Sequence, residues 1–279
     1  MCKEESIYFE DFDSIDEAAL VKKSREEGPP KEQLLAAEQG DPEAQYDIGS
    51  EYVRGYFYVA NLEEGIRLLK LAAAQGHEGA RRDLENVEKA QEYRISAEGG
   101  DAEAQYLIGR CHYHGIGTEY DPKKGVEWYR CAAEQGHVEA MYELGKYNKL
   151  EGIRDGFGVD RELLAEARKW YIAAARRGHA RAAYQLGDIY YFGFGFSRFE
   201  NHRKEAVMCY EFAAERGVPE AQYSLGICYE YGYGIEKDFE KAVKWYRLAA
   251  EQGNDKAIEA LKKMGFPTDG YTVKWQHLQ

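Results

Sequence analysis

A short phrase returns along this chain at nearly fixed intervals, and that recurrence limits the fold more than any other property of the sequence. It reads AAEQG at Ala36–Gly40, AAAQG at Ala72–Gly76, and AAEQG again at Ala132–Gly136 and Ala249–Gly253, with variants at Ala174–Gly178 and Ala213–Gly217. The closing glycines, with Gly100 among them, lie 36, 24, 36, 42, 39 and 36 residues apart. A period near 36 is that of a helical-hairpin solenoid, in which each unit buries its apolar face only against its neighbours.

Each full period carries two helices. A cap residue follows the glycine, as in Asp41-Pro42-Glu43 and Asp101-Ala102-Glu103, where a carboxylate accepts from first-turn amides and proline fits the first helical position. Helix A then repeats an alanine with Ile or Leu four residues on: Ala44/Ile48, Ala104/Ile108, Ala140/Leu144, Ala182/Leu186 and Ala221/Leu225. That spacing is one helix face. Glycine follows each pair, at Gly49, Gly109, Gly145, Gly187 and Gly226, and a tyrosine stands two residues past each alanine. Because glycine inside a helix costs about 1 kcal/mol against alanine, its return at one phase predicts a place where two helices approach too closely for a Cβ. Helix A breaks at Gly115-Ile116-Gly117, Gly193-Phe194-Gly195 and Gly232-Tyr233-Gly234, and fresh caps restart the chain at Asn61, Asp121, Asp160, Asn201 and Asp238. Helix B carries Trp-Tyr and a small-residue end, as in Ala242, Trp245, Tyr246 and Ala249.

The full script, A-x-Y-x-L-G-x-x-Y-x-x-G-x-G, then D-x-x-K-A, then W-Y-x-x-A-A-E-Q-G, resembles the Sel-one-like repeat family, a relative of the tetratricopeptide repeats. Its closest copy runs from Glu220 to Gly253. The resemblance implies an all-α, right-handed α/α superhelical solenoid over residues 31–264, acting as a protein-binding adaptor or scaffold without catalysis of its own. It also implies that helix A lines a concave face.

Departures from the script carry expectations too. The shortened unit at 77–100 keeps Ala80, Leu84 and Tyr93 but has no G-x-G, so it is either a truncated hairpin or one continuous helix. Glu151–Gly156 reads as an inserted interhelix loop. Residues 1–30 read as an acidic arm and capping helix, opened by Ser14-Ile15-Asp16-Glu17 and ended by Gly28-Pro29-Pro30. Residues 265–279 read as a tail whose Tyr271 and Trp275 cover the last apolar face.

Composition excludes several classes. With 37 basic and 50 acidic side chains, a formal charge of −13, the chain would repel a nucleic-acid backbone. No uncharged run exceeds nine residues, too short for the roughly 20 that cross a bilayer. The acidic start is unlike a secretory leader, and five irregularly spaced cysteines suit reduced thiols in a cytoplasmic protein.

The G-x-G turns lack the third glycine and preceding strand of a phosphate cradle. Cys111-His112-Tyr113-His114 with Cys131 invites a zinc reading, but Cys111 aligns internally with Cys228 and His112 with Tyr229, which marks packing positions. His77, His137 and His179 stand where Asp41, Asp101 and Asn254 stand elsewhere, so they read as helix caps. Asp11, Asp13 and Asp16 lack the glycine and glutamate of a calcium loop. No cofactor, metal or catalytic residue is expected.

What remains is surface. The positions three, six and ten beyond each helix-A alanine share a face and change from repeat to repeat. From it and its neighbours we take Arg110, Tyr113, His114, Lys146, Asp188, Tyr191, Phe192 and Tyr231 as candidate partner-binding residues, since aromatic groups and arginine dominate interfaces. The expected partner is a protein or peptide, with a basic surface favoured by the acid balance. A narrower alternative is a cytoplasmic immunity protein that occludes a toxin enzyme. A third, a hydrolase acting on a cell-wall or small-molecule substrate, has the missing nucleophile motifs against it.

Overall fold

Each repeat closes and reopens on one residue. At the end of a B helix, the residue after the glycine donates its N–H to the carbonyl five back: Asp41 to Ala36, His77 to Ala72, His179 to Ala174 and Asn254 to Ala249, at 3.0–3.1 Å. The glycine itself takes a positive φ, 95° at Gly76 and 93° at Gly178, which the reversal requires. The same residue's side chain then accepts from the first turn of the next helix. Asp41 takes the Ala44 N–H at 2.9 Å, and Asn254 takes Ala257 at 3.0 Å. The histidines do the same through Nδ1: His77 from Ala80, His137 from Ala140 and His179 from Ala182, at 2.9–3.2 Å. Such a cap contributes about 1 kcal/mol.

The computed structural model describes residues 21, 23–25, 27–154, 160–194, 196 and 202–268. The Ser14–Glu17 capping box and the tail residues Tyr271 and Trp275 lie outside them. Helical residues end at Glu27, and Gly28, at φ 72°, donates to the Ser24 carbonyl. Then follow α1 (Lys31–Glu38), α2 (Pro42–Arg54), α3 (Leu62–Ala74), α4 (Glu78–Glu98), α5 (Ala102–His114), α6 (Pro122–Glu134), α7 (Val138–Arg154), α8 (Arg161–Ala175), α9 (Ala180–Phe192), α10 (Arg203–Ala214), α11 (Pro219–Tyr231), α12 (Phe239–Glu251) and α13 (Asp255–Lys263). No strand occurs among the described residues. The fold is an all-α solenoid of consecutive helical hairpins, divided into two compact units, residues 1–132 and 133–279.

In the first unit α2 pairs with α3, and α4 packs beside α5. Small clusters hold it together, one around Ala44, Ile48 and Leu68, another around Leu69, Ala80 and Val87. In the second, α7 pairs with α8, α9 with α10 and α11 with α12, with α13 on the end. One continuous core there runs from Ala183 to Leu261.

The helix-A glycines sit where helix B brings up a large side chain. A Cβ on Gly109, Gly145, Gly187 or Gly226 would fall 2.5–2.7 Å from the ring of Tyr129, Tyr171, Tyr210 or Tyr246. These four tyrosines are fully buried. In the first hairpin Leu69 takes that place, and Gly49 faces Gly65 across the helix crossing. The second glycine of the G-x-G turn is equally tight. A Cβ on Gly117 would lie 2.1 Å from the Asn86 carbonyl oxygen, and one on Gly234 would lie 2.3 Å from that of Arg203.

An amide pair, its helix-A glutamine buried and its helix-B glutamine exposed, ties the hairpin ends. Gln75 Nε2 donates to Gln45 Oε1 at 2.9 Å and Gln252 Nε2 to Gln222 Oε1 at 2.8 Å. Gln45, Gln105 and Gln222 in turn donate to the Ala37, Ala97 and Ala214 carbonyls in the last turn of the preceding helix.

Two departures resolve physically. The 77–100 unit is one continuous helix, α4, because beyond Gly79 in its first turn neither glycine nor proline interrupts it. The inserted loop begins as helix. Where other A helices stop at a left-handed glycine eleven residues past the alanine, this one has Glu151, and α7 runs on to Arg154. The remainder of the insertion lies outside the described residues, as does the Asn201 cap. There α10 starts with His202 as its N-cap, whose side chain does not cap the first turn.

Gly145→Ala should therefore destabilise the protein by about 1–3 kcal/mol, although alanine is the better helix former. In a Tyr171→Leu background the same change should cost much less. Urea unfolding of the four proteins of this cycle measures the coupling.

Candidate functional site

The A helices of the two units carry different faces. Ten residues beyond the alanine, α2 and α5 place Arg54 and His114, whereas α7, α9 and α11 place Leu150, Phe192 and Tyr231. These three are 56%, 62% and 56% exposed, far above the neighbours that turn inward. A large apolar group held in water at one register of three successive hairpins is not required by the stack. Around it lie half-buried aromatics. Tyr191 meets Phe192 and Tyr233 at centroid distances of 5.1 and 6.0 Å, Phe192 meets Phe194 at 5.5 Å, and Tyr231 stacks on Tyr233 at 5.6 Å.

Of the candidate residues, Arg110, His114, Lys146, Phe192 and Tyr231 are exposed, and Tyr113, Asp188 and Tyr191 are half-buried. Arg110, Tyr113 and His114 belong to the first unit and the rest to the second. Arg110 lies over the Tyr106 ring, and Tyr113 packs against Tyr129. Lys146 pairs with Glu143 at 2.9 Å on its own helix. The structure brings Tyr191, Phe192 and Tyr231 together through Tyr233. Repeat positions alone pass over Tyr233 and Phe194, because both occupy the variable place inside G-x-G, where turn chemistry hides a half-buried aromatic.

Asp188 turns towards the stack. Its Oδ1 accepts from the Tyr210 hydroxyl at 2.9 Å, and burial raises its pKa against the opposing pull of Lys149 and the two tyrosine hydroxyls, Tyr210 and Tyr184. Lys149 is pushed the other way by burial and donates to Gln185 Oε1 at 2.8 Å. Tyr171, by contrast, buries its hydroxyl without a hydrogen-bond partner among the described residues. Burial also pushes the Cys209 and Cys228 thiols up to about 12, so neither supplies a thiolate at neutral pH. Cys111 and His112 are buried on α5 and Cys131 is exposed on α6. Among the described residues no three His, Cys, Asp or Glu side chains gather as a metal group, and no helix is long and apolar enough to cross a membrane.

Charge is divided unevenly between the two units. Residues 1–132 hold 16 basic and 28 acidic side chains, a formal −12, and residues 133–279 hold 21 and 22, a formal −1. The acid excess thus belongs to the first unit, and the apolar row belongs to the near-neutral second.

Five segments, residues 42–77, 102–137, 138–179, 180–218 and 219–254, match the Sel1 repeat model, together well over half of the chain. The chain belongs to the Sel1 repeat family. Among solved structures it is similar to a protective antigen of uropathogenic Escherichia coli strains displaying an SLR fold, with 28% identity and a TM-score of 0.57 over 88% of this chain and 58% of that one. It is likewise similar to a Sel1 repeat protein from Oxalobacter formigenes, with 28% identity and a TM-score of 0.52 over 81% and 78%. The chain therefore spans little more than half the length of the first. Comparison with curated proteins gives no match. The Sel1 repeats leave out residues 78–101, the segment that forms α4.

Tyr210→Phe removes a donor from a desolvated carboxylate and should cost about 1–2 kcal/mol, whereas Tyr171→Phe should be neutral or stabilising. Asp188 has a raised folded pKa, so its contribution is most favourable below the unfolded carboxylate value of about 3.9 and is lost as pH rises through the folded value. Asp188→Asn should accordingly gain on wild type from about pH 4 upward. Urea midpoints taken across pH 4–7 check both expectations.

Proposed function

We propose that this Sel1 repeat protein is a non-catalytic binding scaffold whose partner protein docks on the A-helix face of the second unit. Sel1 repeats commonly mediate protein–protein interaction. The observation that carries the reading is the exposed row Leu150, Phe192 and Tyr231, backed by Tyr191 and Tyr233. A monomeric surface gains nothing from holding such groups in water at one repeat register, and aromatic anchors of this kind supply most of the energy of an interface. On the same helices as Leu150 and Phe192, Lys149, Gln185 and Asp188 are already engaged in hydrogen bonds, which limits the ordering that binding must supply. The acid of the first unit acts at longer range, favouring approach of a partner with basic surface.

Capture from native lysate with mass spectrometry tests this, comparing wild type with Leu150→Ser/Phe192→Ser/Tyr231→Ser. All three side chains are exposed, so circular dichroism and thermal midpoint should not change. The expected outcome is loss of a specific protein, with affinity reduced at least about tenfold. Recovery of the same proteins by both baits would place recognition elsewhere.

A further inference from the structure

In the first unit a single helix, α4, stands where other repeats have a hairpin, and a cavity lies beside it. A cavity of about 290 Å³ opens between the α2–α3 hairpin, α4 and the start of the α5–α6 hairpin. Its floor is apolar: Val53, Val87, Ala90 and Ile108, each at most 4% exposed. His112 forms one wall where Tyr229 fills the corresponding position of a later repeat. Its Nδ1 lies 3.3 Å from the Glu119 carbonyl, which can only accept, so Nδ1 carries a proton there. Burial and the nearby Lys124 push its pKa down, so His112 stands neutral.

The rim is where this cavity departs from its surroundings. In a unit with 28 acidic and 16 basic side chains, it collects two cations, Arg94 and Lys124, against the one carboxylate of Glu119. Neither cation makes an ion pair among the described residues, although surface arginines and lysines elsewhere in the same unit do, as in Arg67–Glu64 and Arg54–Asp83. Asp121, the other acid close to His112, is already engaged in capping α6 through the Lys124 N–H. Gln91 and the Thr118 hydroxyl add hydrogen-bonding groups to the lining.

An apolar floor beneath two cations that make no ion pair among the described residues matches an amphipathic anion. We propose that this cavity binds a small organic acid as its monoanion, with a branched or cyclic hydrocarbon body on the Val53–Ile108 floor and the carboxylate between Arg94 and Lys124. A single carboxylate matches the two rim cations, neither of which is ion-paired among the described residues. The space, at about 30 Å³ per displaced water, corresponds to roughly ten waters, which suits a body of four to six carbons. The site lies in the first unit and does not depend on the partner face of the second.

The test is titration of the full chain with 4-methylpentanoate, followed by calorimetry and by amide chemical shifts in solution NMR. The expected result is saturable one-to-one binding with shifts centred on Val53, Val87, Ala90 and Ile108. Binding should be about tenfold weaker for the uncharged 4-methylpentanamide, and about tenfold weaker for the acid with Arg94→Gln/Lys124→Gln, two exposed changes that leave the fold intact. Absence of saturable binding, shifts centred elsewhere, or equal binding of acid and amide would each overturn the proposal. A Leu150/Phe192/Tyr231 variant should bind the acid as wild type does, which keeps this result separate from that of the partner face.

Discussion

The contact between a helix-A glycine and a helix-B tyrosine is the constraint on which the rest of the solenoid rests. It fixes how near the two helices of a hairpin come, because the ring edge occupies the space a Cβ would need. With the crossing set, the alanine and Ile/Leu of helix A fall into the core, and in the four hairpins that carry it the phenol is a large, fully buried group. What the phenol hydroxyl then meets differs by layer. Tyr210 finds Asp188, Tyr246 finds Glu230 at 2.7 Å, and Tyr171 buries its hydroxyl without such a bond. The helix crossing therefore repeats from layer to layer while the partners of the buried hydroxyl do not.

Most of the fold was legible because its determinants are local and repeated. Gly145 and Gly187 return at one phase and read as a close crossing. His77 and His179 replace Asp41 and Asp101 and read as caps, since an imidazole nitrogen and a carboxylate oxygen accept equally from an amide. The helical run-on of α7 was equally present in the sequence, as Glu151 where Gly55, Gly115, Gly193 and Gly232 stand in the other repeats. Reading the insertion as a loop overlooked that missing stop. The form of the 77–100 unit was open, because a short hairpin and a long helix share the same apolar spacing.

The candidate site was less legible, since exposure depends on tertiary neighbours. Phe192 and Tyr231 stand out by register alone, and Leu150 shares that register. Asp188 occupies an outward register as well, yet the Tyr210 hydroxyl draws it inward, which no helical wheel of α9 reveals. Lys149 is buried beside it by the neighbouring A helix. The amide pairs were legible but unread: repeats with glutamine after the alanine, at Gln45, Gln105 and Gln222, have glutamine before the closing glycine, at Gln75, Gln135 and Gln252. Repeats with Met141 or Ala183 there have Arg177 or Arg216 instead, and these arginines bond the Ala173 and Phe212 carbonyls.

That pairing makes the closing glycine a natural cut point for duplication. The two amides that must match lie within one repeat, whereas the bond exported to the preceding repeat ends on a backbone carbonyl that any neighbour provides. A gene segment copied from glycine to glycine would carry its matched pair along and insert beside any other unit. A segment cut between helix A and helix B would join a glutamine to an arginine and strand a buried amide. The array can thus lengthen or shorten by whole periods while its surface residues diverge independently.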